Sequence, residues 1–289
     1  MIHAAELIRR KRDGEELDAD ELAELVLEYA RGEVPDYQMA AFCMAVYFRG
    51  LNAAETFALT DAMIRSGETI EDARELAELM LELGRHAGRE VACVLTDMDQ
   101  PLGHAVGNAL ELREAIATLR GEGPPDFTEL VLSACAHLLA FSDLGVTEQE
   151  GRERAAAAVR EGSALEMYER WIAAQGGDPS EDVLPTAPVV QTVTAERDGF
   201  VASIGAVAVG MAALQLGAGR QTKAEAIDHA VGILCLAKRG DQVAAGETLA
   251  EVHARTEEAA QQACADVRAA YELADRAPNP RPIILETIA

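Results

Sequence analysis

The chain has 289 residues, of which 49% are apolar and only 4% aromatic, with a formal net charge of −25. That length suits one large domain or two to three ordinary ones, and the apolar share can fill a sizeable core. The charge argues against nucleic acid and anionic membrane as partners, because both call for a basic face, and an anionic substrate would need a local cationic pocket.

Residues 1–67 read as four short helices. Gly14 stands where a left-handed C-cap closes the first. Asp18 with Glu21, and Asn52 with Glu55, have capping-box spacing for the second and fourth. Pro35-Asp36 opens the third. Leu22, Leu25, Val26 and Tyr29 recur at helical spacing. A further helix is expected over 71–87. "EVACVLT" (90–96) is a short apolar run of strand type, and "HAVGNALELREAIATLRG" (104–121) returns to helix, ending at Gly121. A strand, a turn and a helix in that order suggest an α/β unit. Helices follow at about 126–141, 147–161 and 163–175.

Composition changes across "GGDPSEDVLP" (176–185), which reads as a linker or domain edge. Beyond it come β-type runs, "APVVQTVTA", "DGFVASI", "AIDHAVGILCLA" and "DQVAAGETLAEVHA", punctuated by Asp-Gly, Arg-Gly-Asp and Ala-Gly turns. Helices are expected at about 206–216 and 256–275, and "RPIILETI" as a last strand. The fold class is α/β (α+β) in three parts: an all-helical lobe (1–67), a mostly helical α/β region (68–185) and a C-terminal α+β domain (186–289).

The five cysteines are far apart and never form a C-x-x-C pair, which speaks against a disulfide framework or zinc site. The N-terminus lacks a signal-peptide core, and "IGAVAVGMAAL" (204–214) is shorter than the roughly 20 residues of a membrane helix. The expectation is a soluble, cytoplasmic protein. "RRKR" (9–12) is the one dense basic run, able to meet phosphate or, more plainly, to act as a solvated helix end complementing the dipole. "LGAGRQTK" (216–223) does not fit a P-loop and reads as a helix end leading into a hairpin. Asp97 and Asp99 form a carboxylate pair that could hold a cation or do acid–base work, with helix capping the alternative for Asp99. The six histidines have no ligand spacing, and no G-x-S-x-G is present. These patterns alone name no reaction.

A resemblance does. "KRDG", "PDYQMAAFCMA" and "RGLNAAETFALTDAMIRSG" resemble the N-terminal helical lobe of the pyrimidine-nucleoside phosphorylases, the family that includes thymidine phosphorylase. "LTDMDQPLGHAVGNALELREAIATLRG" resembles a central segment of that family. "LPTAPV", "DGFV", "ALQLGAGR", "AIDHAVGI" and "RGDQVAAGETLAEVHA" resemble its C-terminal domain, in order. Anthranilate phosphoribosyltransferase, a relative, has a similar lobe without that tail. The resemblance implies a glycosyltransferase acting on a pyrimidine nucleoside and phosphate, and a homodimer formed through the lobe at positions such as Phe42, Val46 and Phe48.

It also implies a block of domain size after the "SG" helix, with a Lys-His-Ser-Thr-Gly-Gly phosphate loop, a Gly-Gly-Thr signature, an Arg-Asp segment and a Ser-x-x-Lys segment. This chain runs instead from Ser66-Gly67 into "EDARELAELMLELG", which resembles a helix well downstream. The expected seam is Glu68–Asp72, bridged by a turn of a few residues. No catalytic or phosphate-binding residue is therefore assigned. The strand at 90–96 is expected to lose neighbours, and the C-terminal part to fold regardless. Some members hold a monovalent cation such as potassium; the matching positions are Leu102 and Ala105, through carbonyls, and Glu114, through its carboxylate. The alternative for Glu114 is an exposed helix residue pairing with neighbours. The chain itself reads as an inactive, internally deleted form, natural or engineered, or as a non-catalytic dimerising scaffold. Least favoured is an active enzyme of another class using carboxylates such as Asp97.

Overall fold

The computed structural model describes residues 4–52, 54–59, 70–220 and 225–289. The expected seam and its turn lie mostly outside them. The chain divides into two compact units, Met1–Leu83 and Gly84–Ala289.

The first unit is helical: α1 (Ala4–Asp13), α2 (Ala19–Ala30), α3 (Asp36–Arg49), a helical stretch over 54–59, and α4 (Ile70–His86), within which the division falls. The local signals explain the ends. Gly14 has φ +92°, the left-handed conformation that a C-cap glycine provides. Asp18 and Glu21 close a capping box on α2, and Asn52 and Glu55 exchange the equivalent pair of bonds. Leu7, Leu22, Leu25, Val34, Phe42 and Ala58 form the lobe's core.

The "RRKR" run divides by residue. Arg9 pairs with Glu6, Arg10 with Glu21 and Arg12 with Asp13 near the surface. Lys11 departs from the solvated-end expectation: it is buried, and its ammonium meets both oxygens of buried Glu55 at 2.7 and 2.8 Å. Glu55 also accepts the Leu17 and Asn52 amides. Burial pushes the Glu55 carboxyl up, yet Lys11 and the two amides together hold it below its ordinary value.

In the second unit, β1 (Cys93–Thr96) and β2 (Ala105–Val106) precede four helices: α5 (Asn108–Leu119), α6 (Pro125–Ala140), α7 (Glu148–Arg160) and α8 (Ser163–Ala174). Then come β3 (Val189–Thr194), β4 (Gly199–Ile204), α9 (Ala206–Ala213) running into a π-helical turn at Leu214–Ala218, β5 (Gly232–Cys235), β6 (Gln242–Val243) and β7 (Thr248–Ala254). The chain ends with α10 (Glu257–Ala270), β8 (Tyr271–Ala274) and β9 (Ile284–Ile288). All pairings among these strands are antiparallel, in three sheets ordered β1-β9, β2-β5-β7-β3 and β6-β4-β8. The core lies between the two larger sheets and α9–α10, around Val193, Val201, Ile204, Ile233, Leu249, Val252 and Val267.

Two expectations are corrected here, the end of the last long helix and the exposure of Phe42. The helix expected to run to about 275 stops at Ala270, because Tyr271–Ala274 pairs with β4 and the Tyr271 hydroxyl reaches the Ala237 and Leu249 carbonyls at 3.1 Å each. β1 pairs with β9 alone among the described strands, in a two-stranded sheet. The stretch expected as a linker or domain edge makes contacts to α5: Arg113 donates to the Leu184 and Pro185 carbonyls, and Arg120 pairs with Glu181. Phe42 is core, not surface. The exposed apolar side chains of α3 are Tyr37, Met44, Tyr47 and Phe48. Of "LGAGRQTK", residues 221–223 lie outside the described residues, and Gly217 has φ +102° in the π turn.

Candidate functional site

The sequence's candidate residues converge on the segment between β1 and α5, residues 97–107. Two glycines let this segment approach β5. Gly107 has φ +143°, and a Cβ there would lie 2.6 Å from the Val231 carbonyl oxygen; a Cβ on Gly232 would lie 2.5 Å from that of Val106. Neither position has room for a side chain, so β2 packs backbone to backbone on β5. The Cys235 amide then donates to the His104 carbonyl at 2.7 Å. Burial drives the Cys235 thiol up to about 11, which leaves it inert at neutral pH.

Asp97 is not an open carboxylate. Its side chain is 2% exposed and faces Arg239 at 2.5 Å and Arg281 at 3.5 Å. Its Oδ1 also accepts the Asp99 amide at 3.1 Å. Asp99 caps no helix; its carboxylate pairs with Arg281. Two guanidinium groups thus neutralise the two carboxylates, so the pair suits a structural ion cluster better than acid–base work or cation binding. No cluster of three or more metal-ligating side chains occurs among the described residues.

Glu114, on α5, turns its carboxylate inward. It accepts the His104 amide at 2.8 Å and the Ala105 amide at 3.2 Å, and its side chain is 13% exposed. It is therefore neither an exposed helix residue nor bare. A Cβ on Gly103 would sit 2.2 Å from Glu114 Oε1, so the turn lies directly on the carboxylate. Glu111 likewise accepts the Gly107 amide at 2.9 Å. Leu102 is half-buried and Ala105 buried beside it. Leu102, Ala105 and Glu114, the implied cation ligands, thus stand in one loop and on the helix beside it, and Glu114 accepts two backbone amides there. The positive charge in this loop comes from Lys238, which donates to the Pro101 and Gly103 carbonyls.

Sequence reasoning missed Lys238, Arg239, Arg281 and Asp126. The signal for the first two was the Arg-Gly-Asp turn, which reads only as a turn, and the lysine before it. Chain distance hid their partners.

Comparison with known proteins bears on most of the chain. Residues 5–67 match the helical bundle domain of a glycosyl transferase family, residues 44–165 the α/β domain of a glycosyl transferase family, and residues 200–274 the pyrimidine nucleoside phosphorylase C-terminal domain. A pyrimidine-nucleoside phosphorylase of Geobacillus stearothermophilus is 29% identical over 403 positions, covering 89% of this chain and 93% of the relative. Proteins of the same name from Staphylococcus haemolyticus and Staphylococcus epidermidis are 43% identical over 194 residues and 40% over 195. Those two alignments take in 66% of this chain and 45% of each relative, so the chain spans less than half the length of the staphylococcal proteins it matches. The helical lobe, the loop-and-helix segment around Glu114 and the C-terminal domain match in the order in which the chain presents them, so the chain is similar to the pyrimidine-nucleoside phosphorylases along most of its length.

Proposed function

We propose that this chain is a form of a pyrimidine-nucleoside phosphorylase from which the phosphate- and base-binding block is missing, and that it does not itself turn over nucleoside. The parent reaction takes a pyrimidine nucleoside and phosphate to the free base and a pentose 1-phosphate. One observation carries the reading. Gly67 is followed within a few residues by a segment resembling a distant family helix, and the chain contains no Lys-His-Ser-Thr-Gly-Gly, Gly-Gly-Thr or Ser-x-x-Lys run. The alignment with the Geobacillus protein supports it, since it extends over 403 positions against a chain of 289 residues.

The chemistry makes the loss severe. Phosphorolysis moves a sugar from nitrogen to phosphate while negative charge grows on the departing base. Preorganised donors aimed at that charge supply much of the rate, and losing one alone costs about 3 kcal/mol. In this chain the whole set is lacking. The cations near the retained loop, Arg239, Arg281 and Lys238, are spent on Asp97, Asp99 and Asp126. Calorimetric titration with uridine, thymidine and phosphate tests this directly: no saturable heat is expected, and micromolar binding of any of the three would overturn it.

The same reading retains the three-part division at about 67 and 185, a cytoplasmic setting and a homodimer. The exposed Tyr37, Met44, Tyr47 and Phe48 of α3 support the dimer, because adjoining apolar side chains of that size mark an interaction surface. Light scattering across a hundredfold range of concentration tests it; a monomer throughout would overturn the dimer alone.

A further inference from the structure

Lys238 follows β5, and its side chain is only 15% exposed. Its ammonium donates to the carbonyl oxygens of Pro101 and Gly103 and stands 3.3 Å from Oδ2 of Asp126. The same Asp126 oxygen accepts the Gly103 amide at 3.1 Å. The lysine's own backbone is pinned, its amide donating to Asp241 at 2.8 Å. Two main-chain carbonyls from one turn and one carboxylate thus converge on a single compact positive charge. That donor set consists of hard oxygens only, the set that suits ammonium or a group-1 cation. Glu114 accepts the next two amides along the chain, those of His104 and Ala105, while the Gly103 amide goes to Asp126.

We propose that Lys238 is the built-in monovalent cation of the Pro101–Gly103 turn. Its ammonium holds the turn in place of any free ion, and truncating the side chain turns the position into a binding site for a small monovalent cation such as ammonium or potassium. The inference is independent of the reading of catalytic loss.

Chemical rescue tests it. The melting temperature of the full chain is measured in choline, lithium, potassium and ammonium chloride at equal ionic strength. The native chain is expected to melt at one temperature in all four. Lys238→Ala should melt roughly 5 °C or more lower in choline, recovering at least half of that loss in ammonium or potassium but not in lithium. Lys238→Met keeps the stem without the charge, fills the space, and should fall without recovery. Equal melting of Lys238→Ala in choline, potassium and ammonium would overturn the proposal, as would a native chain that gains as much from potassium as the variant. Should Lys238→Ala fail to fold, Asp126→Asn gives a second reading. Hydrogen exchange at the Gly103 amide should quicken about tenfold, and unchanged exchange there would also overturn it.

Discussion

Arg239 donates to the Asp97 carboxylate at 2.5 Å, across 142 positions of sequence. Asp97 follows the last residue of β1, and Arg239 sits in the turn after β5, so this pair fastens the central segment to the C-terminal one. Removing one member leaves a buried charge without its partner. Arg239→Met is expected to cost about 3–5 kcal/mol in denaturant unfolding. The double variant with Asp97→Asn should cost clearly less than the sum of the two single changes, because the two residues act as one unit. Additive losses would mean that the pair is not coupled.

Lys11 and Glu55 make the corresponding pair in the helical lobe, and they set a pH dependence. The folded carboxyl of Glu55 lies below its ordinary value of 4.5. Its contribution is therefore fully present above about pH 4.5–5 and is lost as the pH falls through the lower folded value. Unfolding of residues 4–59, followed by amide exchange, should be shallow in pH above 5 and steepen below 4. Glu55→Gln should flatten that acid limb and lower stability at pH 7. An unchanged acid limb in the variant would remove Glu55 as its cause.

The difference between these two pairs shows what the sequence disclosed. The capping contacts of Asp18 with Glu21 and of Asn52 with Glu55 are local, so residue type and spacing disclosed them. That Glu55 also receives a buried Lys11 depends on how two helices pack, which no spacing encodes. β8 was missed for the converse reason. "AAYELA" suits a continuing helix, and only pairing with β4 and the reach of the Tyr271 hydroxyl make it a strand. The positions around Leu102, Ala105 and Glu114 were found because the family resemblance marked them. Their partner Lys238 was not, because it lies more than a hundred residues away.

Gly107→Ala tests the backbone approach of β2 to β5. An alanine Cβ would meet the Val231 carbonyl oxygen at 2.6 Å and Gly232 Cα at 2.8 Å, and φ +143° is hostile to any L-residue. Both neighbours are backbone and cannot rotate away. A loss of about 2–4 kcal/mol in the second unit is expected, read from urea midpoints. A change below about 0.5 kcal/mol would mean that the strands do not approach this closely.

Strand β9 supplies β1's partner, so deleting residues 283–289 should expose the 93–96 edge. Limited proteolysis is expected to cut the truncated chain early between about 90 and 104, while the full chain resists there. Equal cutting in both would show that the β1–β9 pairing adds no protection.

The most direct test of the whole account is turnover. The purified chain is incubated with phosphate and either thymidine or uridine, and free thymine or uracil is followed beside a full-length phosphorylase as control. No base release above the protein-free background is expected from either nucleoside. Release at about 1 per second or faster, an ordinary enzymatic rate, would contradict it, and would mean that this chain carries catalytic donors the account does not recognise.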